Sequence, residues 1–273
     1  MKLPAAPSSL SLEVSNLTVH VNGTEQLSEV SFSVPAGGAL SIVGPVGSGK
    51  SALMWSINGL LDEVPGARKE GEILVSGVNT QRLPTSTLRQ RVGLVIPAPL
   101  ARTPLGEIAV PLRGRPASEV GDAAERVLRL VGLWHEMRDR LRQAYSVHNP
   151  VTLRLLALAR TMALSPGILL LDDPTRGLDS MGRARFEAAV ASATSVNDTT
   201  LIWATREPDQ AGRVASHMAF LCCGQIVEAG PADSLFERPD DPRTESFLTG
   251  DYKRLLTLIE NSKSQGALGG KDK

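Results

Sequence analysis

The sequence has 273 residues, of which 42% are hydrophobic, and its 29 lysines and arginines balance 29 aspartates and glutamates. This length and apolar content suit one large domain, or a core with a smaller subdomain. A formal charge of zero argues against a protein that grips nucleic acid by bulk electrostatics. No apolar run reaches the ~18 residues of a membrane span, and the start lacks an apolar signal segment. We therefore expect a soluble, intracellular α/β protein that meets a membrane only through a partner.

The first part of the chain alternates between strand patterns and a glycine-rich turn. Residues 1–10 are rich in Pro, Ser and Ala and are predicted to be flexible. The period-2 alternation of residues 12–34 predicts antiparallel strands with a turn at Asn22-Gly23. The apolar run 39–43 predicts a buried strand, and a helix is predicted at about residues 50–60, after the glycine-rich turn.

The middle of the chain changes from strands to helices. Residues 72–75 and 92–96 are predicted strands, and the prolines of residues 97–116 predict a loop-rich connection. Apolar residues at i, i+3, i+4 and i+7 predict an amphipathic helix over residues 122–134.

The last part repeats apolar runs between helices. Residues 151–164 predict a largely buried helix. Strands are predicted at residues 168–171, 200–204 and 218–222, the last of which ends in Cys222, with Cys223 beside it. Such alternation predicts a parallel sheet covered on both faces, with the two cysteines in its packing. The Gly/Ser/Lys-rich residues 261–273 predict a disordered tail.

One segment matches the pattern G-x-x-x-x-G-K-[ST] between a predicted strand and a predicted helix. The matching residues are Gly44, Pro45, Val46, Gly47, Ser48, Gly49, Lys50 and Ser51. Glycines let successive N–H groups turn inward around an anion, and the following helix points its positive end at the same anion. Lys50 would hold the outer phosphates and the Ser51 hydroxyl would ligate Mg²⁺. A glycine turn without a ligand is the alternative.

An acidic pair follows the predicted strand 168–171. Asp172 is expected at the carboxyl edge of the sheet, where α/β sheets bind ligands. We assign Asp172 to the metal, directly or through a water, and Asp173 to the orientation or deprotonation of an attacking water. A solvated pair of aspartates that caps the next turn is the alternative.

These residues resemble the ATP-binding subunit of ABC transporters, and the similarity runs from about residue 12 to residue 250. Residues 172–179 look like the Walker B acid, the acid after it and a D-loop that ends at Asp179, and residues 157–160 look like the end of the signature helix. A narrower resemblance to phosphate-import (Pst-type) ATPases lies in residues 132–141, 211–216, 236–239 and 243–250. Polar amino-acid importers share part of the last stretch.

The resemblance implies a P-loop NTPase fold over residues 11–260, with a RecA-like parallel sheet, an N-terminal antiparallel β subdomain and an inserted helical subdomain at about residues 98–155. It implies ATP and Mg²⁺ as cofactors and ABC permease subunits as partners. It also implies a place on the cytoplasmic face of the inner membrane. Two chains, as a homodimer or a heterodimer with a second ABC ATPase, would sandwich two ATP molecules between one chain's phosphate loop and the other's signature motif.

The sequence departs from the family where the resemblance places nucleotide contacts. The signature motif Leu-Ser-Gly-Gly-Gln aligns with residues 148–152, of which Pro150 lacks an N–H and Val151 adds bulk where backbone should approach phosphate. Asn149 is expected to cap the helix. The aromatic residue that stacks on adenine aligns with Val21, which can cover a base but lacks a π system.

Three catalytic positions differ as well. The Q-loop glutamine aligns with Pro97, which has no amide side chain. The switch histidine aligns with Arg206, which offers charge to a γ-phosphate but cannot exchange protons near pH 7. A surface pair of Arg206 with Glu207 or Asp209 is the alternative. The catalytic glutamate aligns with Asp173, which is one methylene shorter, and misplacement on that scale can cost ~10²-fold in rate.

The family's residues for binding a triphosphate and a metal are thus present in this sequence, whereas several of its residues for hydrolysing the triphosphate are replaced. We expect the ATP-binding subunit of an ABC importer of phosphate-import type, with slow hydrolysis in a homodimer or a heterodimer. The alternative is a catalytically degenerate nucleotide-binding partner or regulator of a catalytic paralogue. A permease-free ABC protein of DNA repair or translation usually carries two cores, and a P-loop kinase of small molecules would lack the 172–179 pattern.

Overall fold

The computed structural model of the chain describes residues 10–145 and 149–269, so residues 1–9 of the expected flexible segment 1–10, and His148, lie outside the described residues. The expectation is wrong for Leu10, which is buried and accepts a hydrogen bond from the hydroxyl of Thr200 at 2.7 Å. The strands in chain order are β1 (Leu12–Val21), β2 (Thr24–Val34), β3 (Ala39–Val43), β4 (Ala67–Val75), β5 (Val78–Asn79), β6 (Val92–Val95), β7 (Ile168–Asp172), β8 (Thr200–Thr205), β9 (His217–Cys222) and β10 (Gln225–Pro231). The helices are α1 (Lys50–Asn58), α2 (Thr85–Arg91), α3 (Pro104–Ala109), α4 (Ala117–Leu130), α5 (Trp134–Met137), α6 (Pro150–Met162), α7 (Ser180–Val196), α8 (Pro208–Val214), α9 (Ala232–Glu237), α10 (Pro242–Leu248) and α11 (Tyr252–Gly269).

The N-terminal strands form an antiparallel sheet in the order β2-β1-β4-β5. Val21 pairs with Thr24, so the loop between β1 and β2 has two residues. These are Asn22 and Gly23, whose φ angles of 51° and 78° fit the type I′ turn that Asn-Gly favours in hairpins. The predicted hairpin and its turn are confirmed.

The second sheet has the strand order β10-β9-β3-β8-β7-β6 and is parallel except for the antiparallel edge strand β10. Successive residues of β7 point to opposite faces. Leu169 and Leu171 pack with the residues of α4, α6 and α7, whereas Ile168 and Leu170 pack with α1 and the N-terminal sheet. A strand buried on both faces must be apolar throughout, which explains its unbroken apolar run. The predicted parallel sheet covered on both faces is confirmed.

The register of the parallel strands brings three loops to one edge of this sheet. Val43 at the end of β3 pairs with Thr205 of β8, and Asp172 at the end of β7 pairs with Ala204. The segments that follow β3, β7 and β8 therefore start side by side. They contain the glycine-rich loop, the acidic pair and Arg206.

The prediction of a loop-rich connection at residues 97–116 is wrong in part, because α3 forms within it. Thr103 caps this helix by accepting a hydrogen bond from the N–H of Gly106 at 3.0 Å. Pro104 occupies the first turn, where its missing N–H has no helical partner to lose. The proline that suggested a break thus starts a helix.

The amphipathic helix predicted over residues 122–134 ends earlier than its apolar pattern, at Leu130. Gly132 follows with a left-handed φ of 72°. The N–H of Gly132 donates to the carbonyl oxygen of Arg129 at 3.1 Å, and the N–H of Leu133 donates to the carbonyl oxygen of Leu128 at 2.8 Å. This pair of bonds is a Schellman cap. Trp134, predicted to end the helix, instead begins α5.

Two features of the C-terminal part differ from the sequence pattern. Cys222 is buried at the end of β9, but Cys223 is exposed in the turn to β10 with a φ of 52°, so only the first cysteine lies in the packing. The helix α11 continues past Asn261, where the sequence predicts the tail to begin. Among the described helices, none has both the length and the apolar character that crossing a bilayer requires.

Candidate functional site

The loop from Gly44 to Gly49 connects β3 to α1, and its first and last glycines are required by their surroundings. A Cβ on Gly44 would lie 2.0 Å from the carbonyl oxygen of Leu221, which no real Cβ tolerates. Gly49 caps α1 with a φ of 105°, and a Cβ there would lie 2.6 Å from the carbonyl oxygen of Gln26. The loop therefore holds its curve at the positive N-terminal end of α1.

Lys50 is folded into this loop and is only 7% exposed. Its Nζ donates to the carbonyl oxygens of Gly44 and Pro45, each at 2.7 Å, and to Ser48 Oγ at 3.0 Å. Burial lowers the pKa of Lys50 to about 8, although Asp173 and Asp172 act in the opposite direction. The cation is thus held by the loop at the place where the motif predicts phosphate.

Asp172 and Ser51 lie together beside Lys50. Burial raises the pKa of Asp172, and a hydrogen bond from the Ser51 side chain acts against that rise. In nucleotide sites Mg²⁺ is bound by one or two protein oxygens, with phosphate oxygens and water completing its shell. A hydroxyl and a carboxylate in contact, at the mouth of an anion loop, fit that donor set. The predicted pair of metal-binding residues is therefore brought together.

Asp173 follows β7 with a φ of 47°, in the left-handed region that aspartate tolerates better than most residues. Arg206, which follows β8, donates from Nε to Asp173 Oδ2 at 2.8 Å. Within the part of the chain that the structure describes, Arg206 forms its ion pair with Asp173 and not with Glu207 or Asp209. Glu207 is bound instead by Arg183. The carboxylate expected to activate water is therefore held by the residue that stands in place of the switch histidine.

The described part of the predicted signature segment begins α6. Asn149 Oδ1 accepts hydrogen bonds from the N–H groups of Val151 and Thr152, each at 3.1 Å, so the expected capping role of Asn149 is confirmed. Pro150 is in the first turn. Val151 packs against Gly182 of α7, where a Cβ would lie 2.7 Å from Val151 Cγ2. The start of α6 is therefore satisfied by contacts within its own chain.

Asp179, the expected end of the D-loop, caps α7 by accepting a hydrogen bond from the N–H of Gly182 at 2.7 Å. The segment before it is tied to α6, because Arg154 Nε donates to the carbonyl oxygen of Pro174 at 2.6 Å. A second bond from Arg154 reaches the carbonyl oxygen of Arg176. The acidic pair, the D-loop and the signature helix thus form one connected unit.

Pro97 is exposed just after β6, and the carbonyl groups on either side of it are held by one guanidinium. Arg160 donates to the oxygen of Ile96 at 2.6 Å and to that of Ala98 at 2.9 Å, and it forms a buried ion pair with Glu107. The backbone of the predicted Q-loop is therefore fixed, although the position of its glutamine carries no amide.

Val21 lies on the wall of a cleft of about 450 Å³ between the β1–β2 hairpin and α1. The side chains that line it are Val21, Asn22, Thr24, Gln26, Ser51, Ala52, Trp55, Leu61 and Val64. The expected base-covering residue and the end of the phosphate loop therefore share one cleft. In contrast, Val46 is exposed at the rim of the loop.

Comparisons with known proteins agree with this geometry. Residues 27–176 match the family model described as ABC transporter, which is more than half of the chain. The chain is 33% identical over 249 residues to the phosphate import ATP-binding protein PstB of Aeropyrum pernix, covering 89% of this chain and 98% of that protein. It is also 33% identical over 249 residues to the phosphate import ATP-binding protein PstB 1 of Vibrio cholerae, covering 88% of this chain and 90% of that protein. The chain belongs to the ABC transporter family.

A solved structure supports the fold of this ABC chain. It is a dimeric ATP-binding cassette in a post-hydrolysis state, bound to ADP and Pi, and it matches with a TM-score of 0.67 and 24% sequence identity. The match covers 81% of this chain and 98% of that one. The predicted P-loop fold, with its parallel sheet and N-terminal antiparallel sheet, is confirmed.

Some residues of this ABC chain's site lay beyond sequence reasoning. The Asp173–Arg206 pair joins residues 33 positions apart, and only the sheet register makes them neighbours. The Arg160–Glu107 pair gave no motif signal, although Arg160, one of two arginines in the mainly apolar predicted helix 151–164, could have indicated a buried partner. Trp55 could have been found by its helical spacing, since it follows Ser51 by four residues.

Proposed function

We propose that the chain is the ATP-binding subunit of an ABC importer related to phosphate importers. The observation that carries the proposal is Lys50, buried in the glycine loop at the N-terminus of α1 with Asp172 and Ser51 beside it. The relatives named as phosphate import ATP-binding proteins support the transport class.

ATP with Mg²⁺ is the ligand that this set of groups fits best. The N–H groups of the loop and Lys50 would bind the β- and γ-phosphates, and Ser51 and Asp172 would bind the metal. Bound Mg²⁺ would neutralise charge that develops on the phosphates. Val21 would cover the nucleobase in the cleft beside α1.

The partners follow from the same proposal. Permease subunits would carry the solute, and this chain would reach the cytoplasmic face of the membrane only through them. A second ABC ATPase, identical or different, would supply the facing half of each nucleotide site. Neither half of the site needs nucleic acid.

We propose that hydrolysis is slow because groups needed in the transition state are missing or occupied. Arg206 binds the carboxylate of Asp173 that would act on water. Pro97 offers no amide, and the N–H groups of Val151 and Thr152 are already bound by Asn149. Binding depends on the loop and the metal, whereas turnover needs preorganised contacts to the transition state as well.

A second function is favoured by the Asp173–Arg206 ion pair. A chain in which the Asp173 carboxylate is held by Arg206 would serve as a nucleotide-binding partner or regulator of a catalytic paralogue. Copurification separates the two functions. An importer subunit should be recovered with permease subunits, whereas a regulator should be recovered mainly with another ABC ATPase.

Calorimetry and an ATPase assay test the proposal. We expect wild-type protein to bind MgATP and Lys50→Ala to bind it at least about tenfold more weakly, because Lys50 is the charge in the loop. Turnover should be at least about tenfold below that of a phosphate-import ATPase assayed beside it. Absence of heat with MgATP would refute ATP binding, and turnover equal to that of the reference would refute slow hydrolysis.

Restoring two side chains tests which groups limit the rate. The double variant Asp173→Glu, Arg206→His replaces the ion pair by a longer carboxylate and a proton-exchanging ring. We expect higher turnover with little change in MgATP affinity. An unchanged rate would place the limit at Pro97 or at residues 149–152 instead.

A further inference from the structure

We propose that Trp55 is the residue on which the nucleobase stacks in this chain. The inference rests on the proposed function, since it concerns the part of the ligand beyond the phosphates. It starts from the cleft of about 450 Å³ between the β1–β2 hairpin and α1, into which Val21, Ser51 and Trp55 all face.

The spacing along α1 places Trp55 on the path of the ligand. Ser51 and Trp55 are four residues apart, so they lie on the same face of the helix, about 6 Å apart along its axis. The phosphate loop is at the N-terminal end of this face. A group that leaves the loop attached to a triphosphate and enters the cleft therefore passes Ser51 and Ala52 before it reaches Trp55.

The two walls of the cleft differ in what they offer a base. Val21 on the hairpin wall is aliphatic and can provide only apolar contact. Trp55 on the helix wall is the one aromatic residue among those that line the cleft, and 37% of its surface is exposed. An indole that lines the cleft together with Val21 offers a partly exposed aromatic surface, and such a surface can form offset stacking with a heteroaromatic ring.

Stacking of this kind has a defined consequence for selectivity. Every base has a π face, so an aromatic platform tolerates a change of base. ATP and GTP should therefore both bind more tightly than inorganic tripolyphosphate, which offers the loop the same phosphate chain without a ring. The extra affinity for ATP and GTP over tripolyphosphate should depend on the aromatic side chain of Trp55 and not on the phosphate loop.

Calorimetry on Trp55 variants tests this division. We expect Trp55→Ala to weaken MgATP binding about tenfold and to leave the affinity for magnesium tripolyphosphate within about twofold of wild type. Trp55→Phe should retain most of the MgATP affinity, because it keeps an aromatic face. Thermal unfolding of each variant checks that the half-exposed position tolerates the change.

Fluorescence gives a second readout from the same residue. MgATP should quench the tryptophan emission of the wild type, and Trp55→Ala should abolish the quenching. Trp134→Phe is the matched control, because Trp134 packs on Arg129 in the helical segment, away from the cleft. That variant should keep the quenching.

The outcomes separate this inference from the proposed function. Equal affinity of the wild type for MgATP and magnesium tripolyphosphate would overturn the stacking role and leave the phosphate site intact. A Trp55→Ala variant that loses both ligands equally, or neither, would also overturn it. A wild type that binds neither ligand would overturn the proposed function and this inference with it.

Discussion

Single residues of the phosphate loop show two different reasons for glycine. Gly44 has no room for a side chain, because a Cβ would meet the carbonyl oxygen of Leu221 at 2.0 Å. Gly47 has open space within 4 Å but a φ of 77°. The first position excludes a side chain by contact and the second only by backbone conformation.

This difference predicts unequal effects of adding one methyl group. Gly44→Ala should lower the free energy of unfolding by about 3 kcal/mol, since β9 and the loop must move apart. Gly47→Ala should lower it by about 1 kcal/mol, the cost of a left-handed alanine. Urea unfolding of the two variants measures both, and equal effects would contradict the contact with Leu221.

The adjacent cysteines are predicted to differ in reactivity. Burial raises the pKa of the Cys222 thiol to about 12, whereas Cys223 is exposed. The thiolate is the reactive form, so Cys222 stays protonated and inaccessible through the neutral range and up to about pH 10. Iodoacetamide at pH 8 should add one label to the native protein and two after unfolding. A Cys223→Ser control should accept none while native, and two labels on native wild type would contradict the burial of Cys222.

Residue types in a fixed pattern made part of the site predictable. The motif at residues 44–51 fixes spacing within one loop, so the place of Lys50 and Ser51 followed from sequence. The place of Asp172 followed from the rule that carboxyl ends of parallel strands share an edge. The contact of Asp173 with Arg206 did not follow, because two loops must approach each other and no short pattern encodes that distance.

Among the elements, the segment after β6 is organised by one buried carboxylate. Glu107 of α3 is 1% exposed and accepts hydrogen bonds from the N–H groups of Leu100 and Ala101, each at 2.8 Å. Its Oε1 also accepts from the hydroxyl of Tyr145 at 2.9 Å, and its Oε2 binds Arg160 of α6. One side chain thus joins α3, α6 and the predicted Q-loop.

Removing this charge should destabilise the protein strongly. Glu107→Gln leaves the Arg160 guanidinium buried without its counter-charge, which typically costs about 3–5 kcal/mol. For a chain of this size the thermal midpoint should fall by about 10 °C. Glu125→Gln is the matched control, because Glu125 pairs with Arg129 in an exposed i,i+4 geometry worth about 0.3–0.5 kcal/mol. Equal midpoints for the two variants would contradict the role of Glu107.

Element boundaries show where pattern reasoning ends. The spacing of apolar residues correctly located most of α4. The apolar pattern continues past Leu130, but the helix ends there because the chain turns at Gly132, which has a left-handed φ. The prolines of residues 97–116 predict a loop, but Pro104 stands in the first turn of α3, where proline does not break a helix. In both cases the conformation that one residue favours, glycine after α4 and proline at the start of α3, sets the helix boundary, and the apolar pattern of the longer segment does not.

At the scale of the whole molecule, the proposed pairing with a second ABC ATPase would divide each nucleotide site between two chains. The phosphate side is residues 44–51 with Asp172, Asp173 and Arg206, and the facing side is the start of α6. In a self-dimer both sites would combine a weakened phosphate side with a weakened facing side. Repairing either side alone would then leave every site incomplete.

Mixing two repaired chains tests this arrangement directly. The first carries Pro97→Gln, Asp173→Glu and Arg206→His. The second carries His148→Leu, Asn149→Ser, Pro150→Gly, Val151→Gly and Thr152→Gln. Loss of a transition-state contact costs about 10²- to 10³-fold. The second variant alone should therefore stay near the wild-type ATPase rate, and the first alone should show no more than the modest rise expected of Asp173→Glu, Arg206→His, because its facing side is still unrepaired. Only a mixed dimer has one complete site, so the ATPase rate of the mixture should be at least about tenfold above that of either variant alone. The gain should vanish when the first chain also carries Lys50→Ala, and thermal unfolding must show both variants folded. If either variant alone matched the mixture, the division of each site between two chains would be wrong.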